Sequence, residues 1–165
     1  MITPEAFRDL MASVCAPVAV VTTATPDGAP QGATVSAIAA LSMSPPLVSV
    51  ALDRASSLLA GIGRARRFAV NVLSEPQSEL AVRFARRGID RFAGVDWRLS
   101  HGLPRLEGAA GFMACDVEAD LPGGDHRLLM GLIVASDTSG RPPLIYGGRT
   151  YGTHSARIDE AIGRG

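Results

Sequence analysis

Apolar positions recur at two different periods along this chain, and the switches between them outline its elements. Phe7, Leu10, Met11 and Val14 keep the i, i+3, i+4, i+7 spacing of one helical face. Thr3-Pro4-Glu5 in front of them supplies a hydroxyl N-cap, a proline at the first position and an acid in the first turn, and Pro17 ends the helix. Val18 to Thr23 is β-branched and predicts a strand, followed by a turn at Thr25-Pro26-Asp27-Gly28. The next strand begins near Gly32, so the pair reads as a hairpin. Ser56 to Ile62 predicts a short helix ending near Gly63, and Phe68 to Leu73 a strand. Ser74 and Gln77 have capping-box spacing ahead of a helix whose buried side is Leu80, Ala81 and Phe84. Arg86 to Phe92 is a charged connection, Trp97 and Leu99 mark a weak strand, and Pro104 to Ala110 reads as loop. Gly111 to Leu121 and Leu128 to Ala135 predict two strands joined by the turn Pro122-Gly123-Gly124-Asp125. Leu144 to Tyr146 is a last short strand. Six or seven strands with three short helices predict a small antiparallel barrel.

The stretch from Gly32 to Ser57 differs from the rest. Pro45-Pro46 fixes φ twice and removes two backbone donors, so it breaks the stretch into two extended segments at a corner. Before the corner, Thr34, Ser36, Ala40 and Ser42 fall on one side if the period of two holds throughout. Their side chains are short, and a flat ligand would approach the backbone closely there. After the apolar run Leu47 to Leu52 comes Arg54, with Ser56 and Ser57 at the start of a helix. A cation beside open N–H groups suits an anion, and a buried strand pair with a serine N-cap accounts for the same residues.

Composition narrows the classes. A chain of 165 residues fits one domain with a core of its own. Sixteen basic residues, all arginine, balance sixteen acids, so no broad charge argues for nucleic acid or an anionic membrane. Arginines do cluster at Arg64, Arg66 and Arg67 and at Arg83, Arg86, Arg87 and Arg91, which reads as solvated helix faces. Cys15 and Cys115 stand alone and read as small buried residues in a reducing compartment, giving no disulfide and no metal site. No apolar run reaches membrane-spanning length, so a cytoplasmic protein is expected. No GxGxxG, P-loop, GxSxG or HExxH is present.

Gly32-Ala33-Thr34-Val35-Ser36, Ser42, Pro45-Pro46-Leu47-Val48 and Arg54 with its serines, in that order, resemble the core signature of the flavin reductase-like family. Phe68-Ala69-Val70-Asn71-Val72-Leu73, Gly124-Asp125-His126, and Pro143-Leu144-Ile145-Tyr146 with Arg149 and Tyr151 follow in matching order. The resemblance covers roughly Phe7 to Tyr151. It implies a split β-barrel of Greek-key type, a homodimer with flavin at the subunit interface, and reduction of FMN or FAD by NADH or NADPH. Reduced flavin would then serve a partner monooxygenase. Rival readings are a flavoprotein that keeps its flavin and reduces another acceptor, and a non-catalytic flavin-binding module.

The resemblance also implies site residues. Ser36, Ser42, the Ala37 backbone, Arg54 and Ser57 would hold the flavin phosphate and ribityl chain, with Tyr151 among the cofactor-binding positions. An isoalloxazine is flat and bonds along one edge, and, by their own chemistry, Thr34 and the backbone near Leu52 and Asn71 would line that edge. Asn71, inside an apolar strand, needs a partner, and a neighbouring loop would serve as well as a ligand. His126 would lie where the nicotinamide stacks, or it bonds its own turn. Hydride transfer from nicotinamide C4 to flavin N5 is the cofactors' chemistry, and the protein supplies orientation.

Overall fold

The computed structural model describes residues 1–154. Helix α1 is Pro4–Ala12, α2 Ser57–Ala65 and α3 Ser78–Ala85, the last preceded by a 3-10 turn at Glu75–Gln77. The strands are β1 (Ala16–Pro17), β2 (Ala19–Ala24), β3 (Pro30–Val35), β4 (Ile38–Met43), β5 (Pro46–Asp53), β6 (Arg67–Val72), β7 (Trp97–Ser100) and β8 (Leu103–Leu106). They continue with β9 (Gly111–Gly123), β10 (His126–Thr138), β11 (Ile145–Gly147) and β12 (Thr150–Gly152).

Seven strands form one antiparallel sheet in the order β3-β2-β6-β9-β10-β5-β4. Its edge strands, β3 and β4, are separated in sequence by Ser36-Ala37 alone. In a flat sheet, six strand spacings of about 4.8 Å would hold the edges roughly 29 Å apart. Three Cα steps of about 3.8 Å reach about 11 Å at most. The sheet must therefore curl until its edges nearly meet. It is a barrel split between β3 and β4, mainly β as the sequence predicts.

Alternation fills its interior. Along β5, Val48, Val50 and Leu52 are buried while their neighbours are not, and Phe68 and Val70 of β6 point into the same cluster. Helix α2 adds Leu58 and Ile62 to it. A second cluster lies outside the barrel wall, where Phe84 of α3 and Phe92 pack edge to face on Val18 and Val20, their ring centroids 4.9 Å apart.

Several boundaries differ from expectation, each for a local reason. The segment before Pro45 is not one strand: it breaks at Ser36-Ala37, where Ala37 C=O accepts from Ala51 N–H and Ile38 N–H donates to Ser36 C=O. Ser36 consequently lies in the connection between the two edge strands, and Ser42 on β4. The corner is a tight turn, and β4 and β5 pair on either side of it, Met43 facing Pro46. The segment expected as loop from Pro104 contains β8, because Leu103 and Leu106 are buried and the Pro104 carbonyl accepts from Thr22 Oγ1. Helix α2 runs past Gly63 to a left-handed Arg66. Gln77 Oε1 does accept from Ser74 N–H, but the box opens the 3-10 turn ahead of α3. Cys15 is exposed and only Cys115 is buried. Helix α1 forms as its capping residues require, with Thr3 Oγ1 accepting from Ala6 N–H, yet it buries none of its residues. No helix of the described residues is long and apolar enough to cross a membrane.

Candidate functional site

A cleft of about 690 Å³ lies between β3, the β5–α2 connection, and α3 with the connection that follows it. Gly32 and Phe84 both line it, and a Cβ on Gly32 would come 3.0 Å from Phe84 Cε1, so the ring leaves no room there for a larger residue. Thr34 Oγ1 donates to Ala81 C=O at 2.6 Å, which ties α3 to β3 and fixes the cleft's width.

The N-terminus of α2 opens into this space. Ser56 is the N-cap residue, yet its side chain makes no capping bond. The first-turn N–H groups are left open beside the Ser56 and Ser57 side chains that line the cleft. Open donors and the positive end of a helix favour an anion.

His126 is the first residue of β10 and sits opposite Asp53 in the β5–β10 register. Its Nδ1 lies 2.7 Å from Asp125 Oδ1. The hydrogen bond and charge of His126, with a smaller contribution from Arg54, hold the Asp125 carboxyl below its usual value. An ionised Asp125 accepts, so His126 Nδ1 donates to it. His126 thus bonds its own turn and also lines the cleft. Asp53 Oδ1 accepts from Ala55 N–H at 2.7 Å, and its Oδ2 lies 3.5 Å from Arg87 Nη2.

Of the residues singled out from sequence, Thr34, Ser36, Ala37, Leu52, Ser57 and His126 line this one cleft. Four others do not. Arg54 is turned onto the β9–β10 hairpin, its backbone N–H donating to Asp125 C=O at 3.0 Å and its Nη1 to Gly124 C=O at 3.2 Å. Ser42 lies beyond the split on β4, paired with Leu47. Asn71 is fully buried, and both ends of its amide are engaged by protein: Nδ2 by Val20 C=O, Thr22 Oγ1 and Pro104 C=O, and Oδ1 by Leu106 N–H at 2.8 Å. Tyr151 sits on β12 against Tyr146 and the outer cluster, where burial and then Tyr146 raise its pKa. Sequence reasoning missed Arg87 and Arg91, which also line the cleft. Their only signal was position, in a glycine-containing connection after an amphipathic helix.

A second, more apolar groove of about 680 Å³ lies beneath α1, between Phe7, Met11 and Val14 on one side and Ile38 and Tyr146 on the other. It shares Ser36 and Ala37 with the cleft, so the two spaces meet at the split in the barrel. Cys15 lines this groove, whereas burial, assisted by Asp116, pushes the Cys115 thiol up to about 12. The cleft combines an apolar wall, an anion-binding helix terminus and one imidazole. Those groups suit binding and orienting a flat ligand that carries phosphate.

Known proteins resemble this chain over most of its length. Residues 11–155 match the family described as Flavin reductase like domain. The chain is 37% identical over 151 residues to a probable flavin reductase of Rhizobium meliloti, covering 91% of this chain and 49% of that protein. It thus spans about half the length of that relative. It is 39% identical over 140 residues to the reductase component of a 4-nitrophenol 4-monooxygenase/4-nitrocatechol 2-monooxygenase of Rhodococcus opacus, covering 85% of this chain and 75% of that one. The solved structure of the Streptomyces globisporus NADH:FAD oxidoreductase in complex with NAD and FAD fragments superposes with a TM-score of 0.89 at 26% identity, covering 96% of this chain and 99% of that one.

Proposed function

The chain belongs to the flavin reductase-like family, and on that premise we propose that it reduces FMN or FAD with NADH or NADPH and supplies reduced flavin to a partner monooxygenase. One observation carries the reading most: the uncapped α2 N-terminus and His126 open into the same cleft. When bound there, a flavin supplies the ring that takes up a hydride from reduced nicotinamide.

The chain's own residues bind and orient. The first-turn N–H groups of α2 and the Ser57 hydroxyl would hold the flavin phosphate. Thr34, tied to α3, and the backbone near Leu52 would line the flat ring. His126 would border the nicotinamide, and its Nδ1 contact with Asp125 would orient the imidazole and leave Nε2 turned to the ligand. No side chain needs to move a proton, because hydride transfer between rings requires alignment and exclusion of water.

We further propose a homodimer. The apolar stripe of α1 is exposed, with Phe7 at 54%, Leu10 at 60% and Met11 at 45%. An amphipathic helix normally buries that stripe, and a second copy seated in the groove beneath α1 does so here.

The test is oxidation of NADH or NADPH with FMN or FAD in excess over protein. Turnover of many flavin equivalents supports a reductase. Binding without turnover overturns it in favour of a passive flavin binder. His126→Ala keeps flavin affinity and loses about tenfold in kcat/KM for the nicotinamide, or about 1.4 kcal/mol.

A further inference from the structure

Of residues 51–58, which carry the chain from β5 into α2, Arg54 alone does not line the cleft. It is turned the other way, onto the turn that leads into His126. Its backbone N–H donates to Asp125 C=O at 3.0 Å and its Nη1 to Gly124 C=O at 3.2 Å. The first bond carries the β5–β10 ladder one step past its last pair, Asp53 with His126. The second, made by the side chain, takes the next carbonyl back along the turn.

That turn has little else to hold it. Leu121 to Asp125 are all exposed. Gly123 and Gly124 bring no side chain, and a Cβ built on Gly124, which is left-handed at φ +65°, would meet nothing within 4 Å. Glycine has the most backbone freedom to lose on ordering. Among the described residues, the hydrogen bonds that reach residues 122–125 from outside the β9–β10 hairpin are the two from Arg54. His126 depends on this turn twice. Its backbone follows Gly124 and Asp125 directly, and its Nδ1 donates to Asp125 Oδ1 at 2.7 Å, on a carboxylate that is itself 95% exposed.

The segment 53–57 therefore faces two ways. On one side Ser56 and Ser57 open the α2 N-terminus to the cleft, and on the other Arg54 fixes the turn from which His126 reaches the same cleft. Resting on the flavin reading above, we infer that Arg54 is a positioning residue for the nicotinamide step: it binds no phosphate, and it holds the Gly124-Asp125 turn so that His126 is presented to the cleft in register with the α2 terminus. Arg54 touches neither reacting ring and acts only through the turn.

The experiment is a double-mutant cycle of Arg54→Ala and His126→Ala, read by kcat/KM for the nicotinamide at saturating flavin and by titration with the flavin. Arg54 is exposed, so its replacement leaves the fold in place. Arg54→Ala lowers kcat/KM about fivefold, the size of one hydrogen bond, and leaves flavin affinity unchanged. Arg54→Lys, whose ammonium still donates to one carbonyl, recovers part of the loss. In the His126→Ala background Arg54→Ala costs less than about twofold, because the group it positions is gone. Equal losses in both backgrounds overturn the inference, since a brace for the fold alone would act in both. Weakened flavin binding with unchanged kcat/KM also overturns it and returns Arg54 to the phosphate. No change in either quantity overturns it and leaves the flavin reading intact. If the wild type oxidises neither NADH nor NADPH with FMN or FAD, the flavin reading itself fails and the positioning role with it.

Discussion

Asn71→Ala separates two roles that the sequence left open, a ring contact and a structural brace. In the structure the amide joins three strands at the barrel wall: β2 through Val20 and Thr22, its own β6, and β8 through Pro104 and Leu106. Truncation leaves the Leu106 N–H buried without an acceptor, which costs about 1–3 kcal/mol. The Pro104 carbonyl keeps Thr22 Oγ1 at 2.7 Å, so the acceptor side loses less. The void left by the amide, on the order of 40 Å³, adds about 1 kcal/mol at ~24 cal/mol per Å³. The sum is about 2–4 kcal/mol. For a chain of this length each kcal/mol moves Tm by about 2–4 °C, so apo protein should melt about 4–16 °C lower. Flavin affinity, measured well below the new Tm, should be unchanged, because Asn71 is fully buried behind the cleft wall. Calorimetry of the apo protein and a flavin titration decide it. An unchanged Tm with weakened flavin binding would refute the structural assignment and return Asn71 to the ring edge.

Three further outcomes follow from particular contacts. Gly131→Ala places a Cβ 2.5 Å from Phe68 Cζ and 2.9 Å from Cys115 Cβ, so overpacking should cost about 1–3 kcal/mol, read as a lower urea midpoint. Because burial raises Cys115 from 9.0 to about 12, the folded state holds that proton more tightly than the unfolded state. Its contribution to stability is complete below pH 9 and is lost as pH rises toward 12, and thermal melts of Cys115→Ala should show a shallower decline across that range. Phe7→Asp, on a face that buries nothing within the protomer, should leave Tm at low protein concentration unchanged and shift light scattering from dimer to monomer; a wild type that scatters as a monomer at every concentration removes the dimer.

Where local signals agreed with tertiary demands, the sequence was legible. The β9–β10 hairpin, the β4–β5 corner and the capped start of α1 all carry residues whose φ or hydrogen bonding admits few alternatives. The split at Ser36-Ala37 was not legible, because nothing in that run of small and hydroxyl residues forbids a continuous strand. It is imposed by the sheet, whose two edges must be joined by two residues. Strand β8 was hidden by Pro104, which lacks the N–H of an interior strand residue; it is tolerated because β8 pairs only with β7, and the Pro104 carbonyl meets Thr22 and Asn71 instead. For the cleft, the positions of Thr34 and Ser36 in its lining could be read from the sequence, and the direction in which Arg54 turns could not. A basic residue before a helix looks alike whether it faces a ligand or, as here, a hairpin joined to it only through long-range pairing.

The split also explains why the cleft and the apolar groove stand side by side. A barrel closed by β3–β4 pairing would cover the backbone of Ser36 and Ala37 with hydrogen bonds. Left unpaired, the two residues are exposed, and Ala37 is held only from one side through its carbonyl to Ala51. The polar cleft then reaches the gap from the β3 side, where α2 presents its open N-terminus. The groove reaches it from the β4 side, where α1 presents Phe7 and Met11. An extended ligand in the cleft and a second copy in the groove would therefore meet at the same two residues. Neither is large, and neither carries a charge to desolvate. A gap of that character would admit a flat apolar ring at low cost.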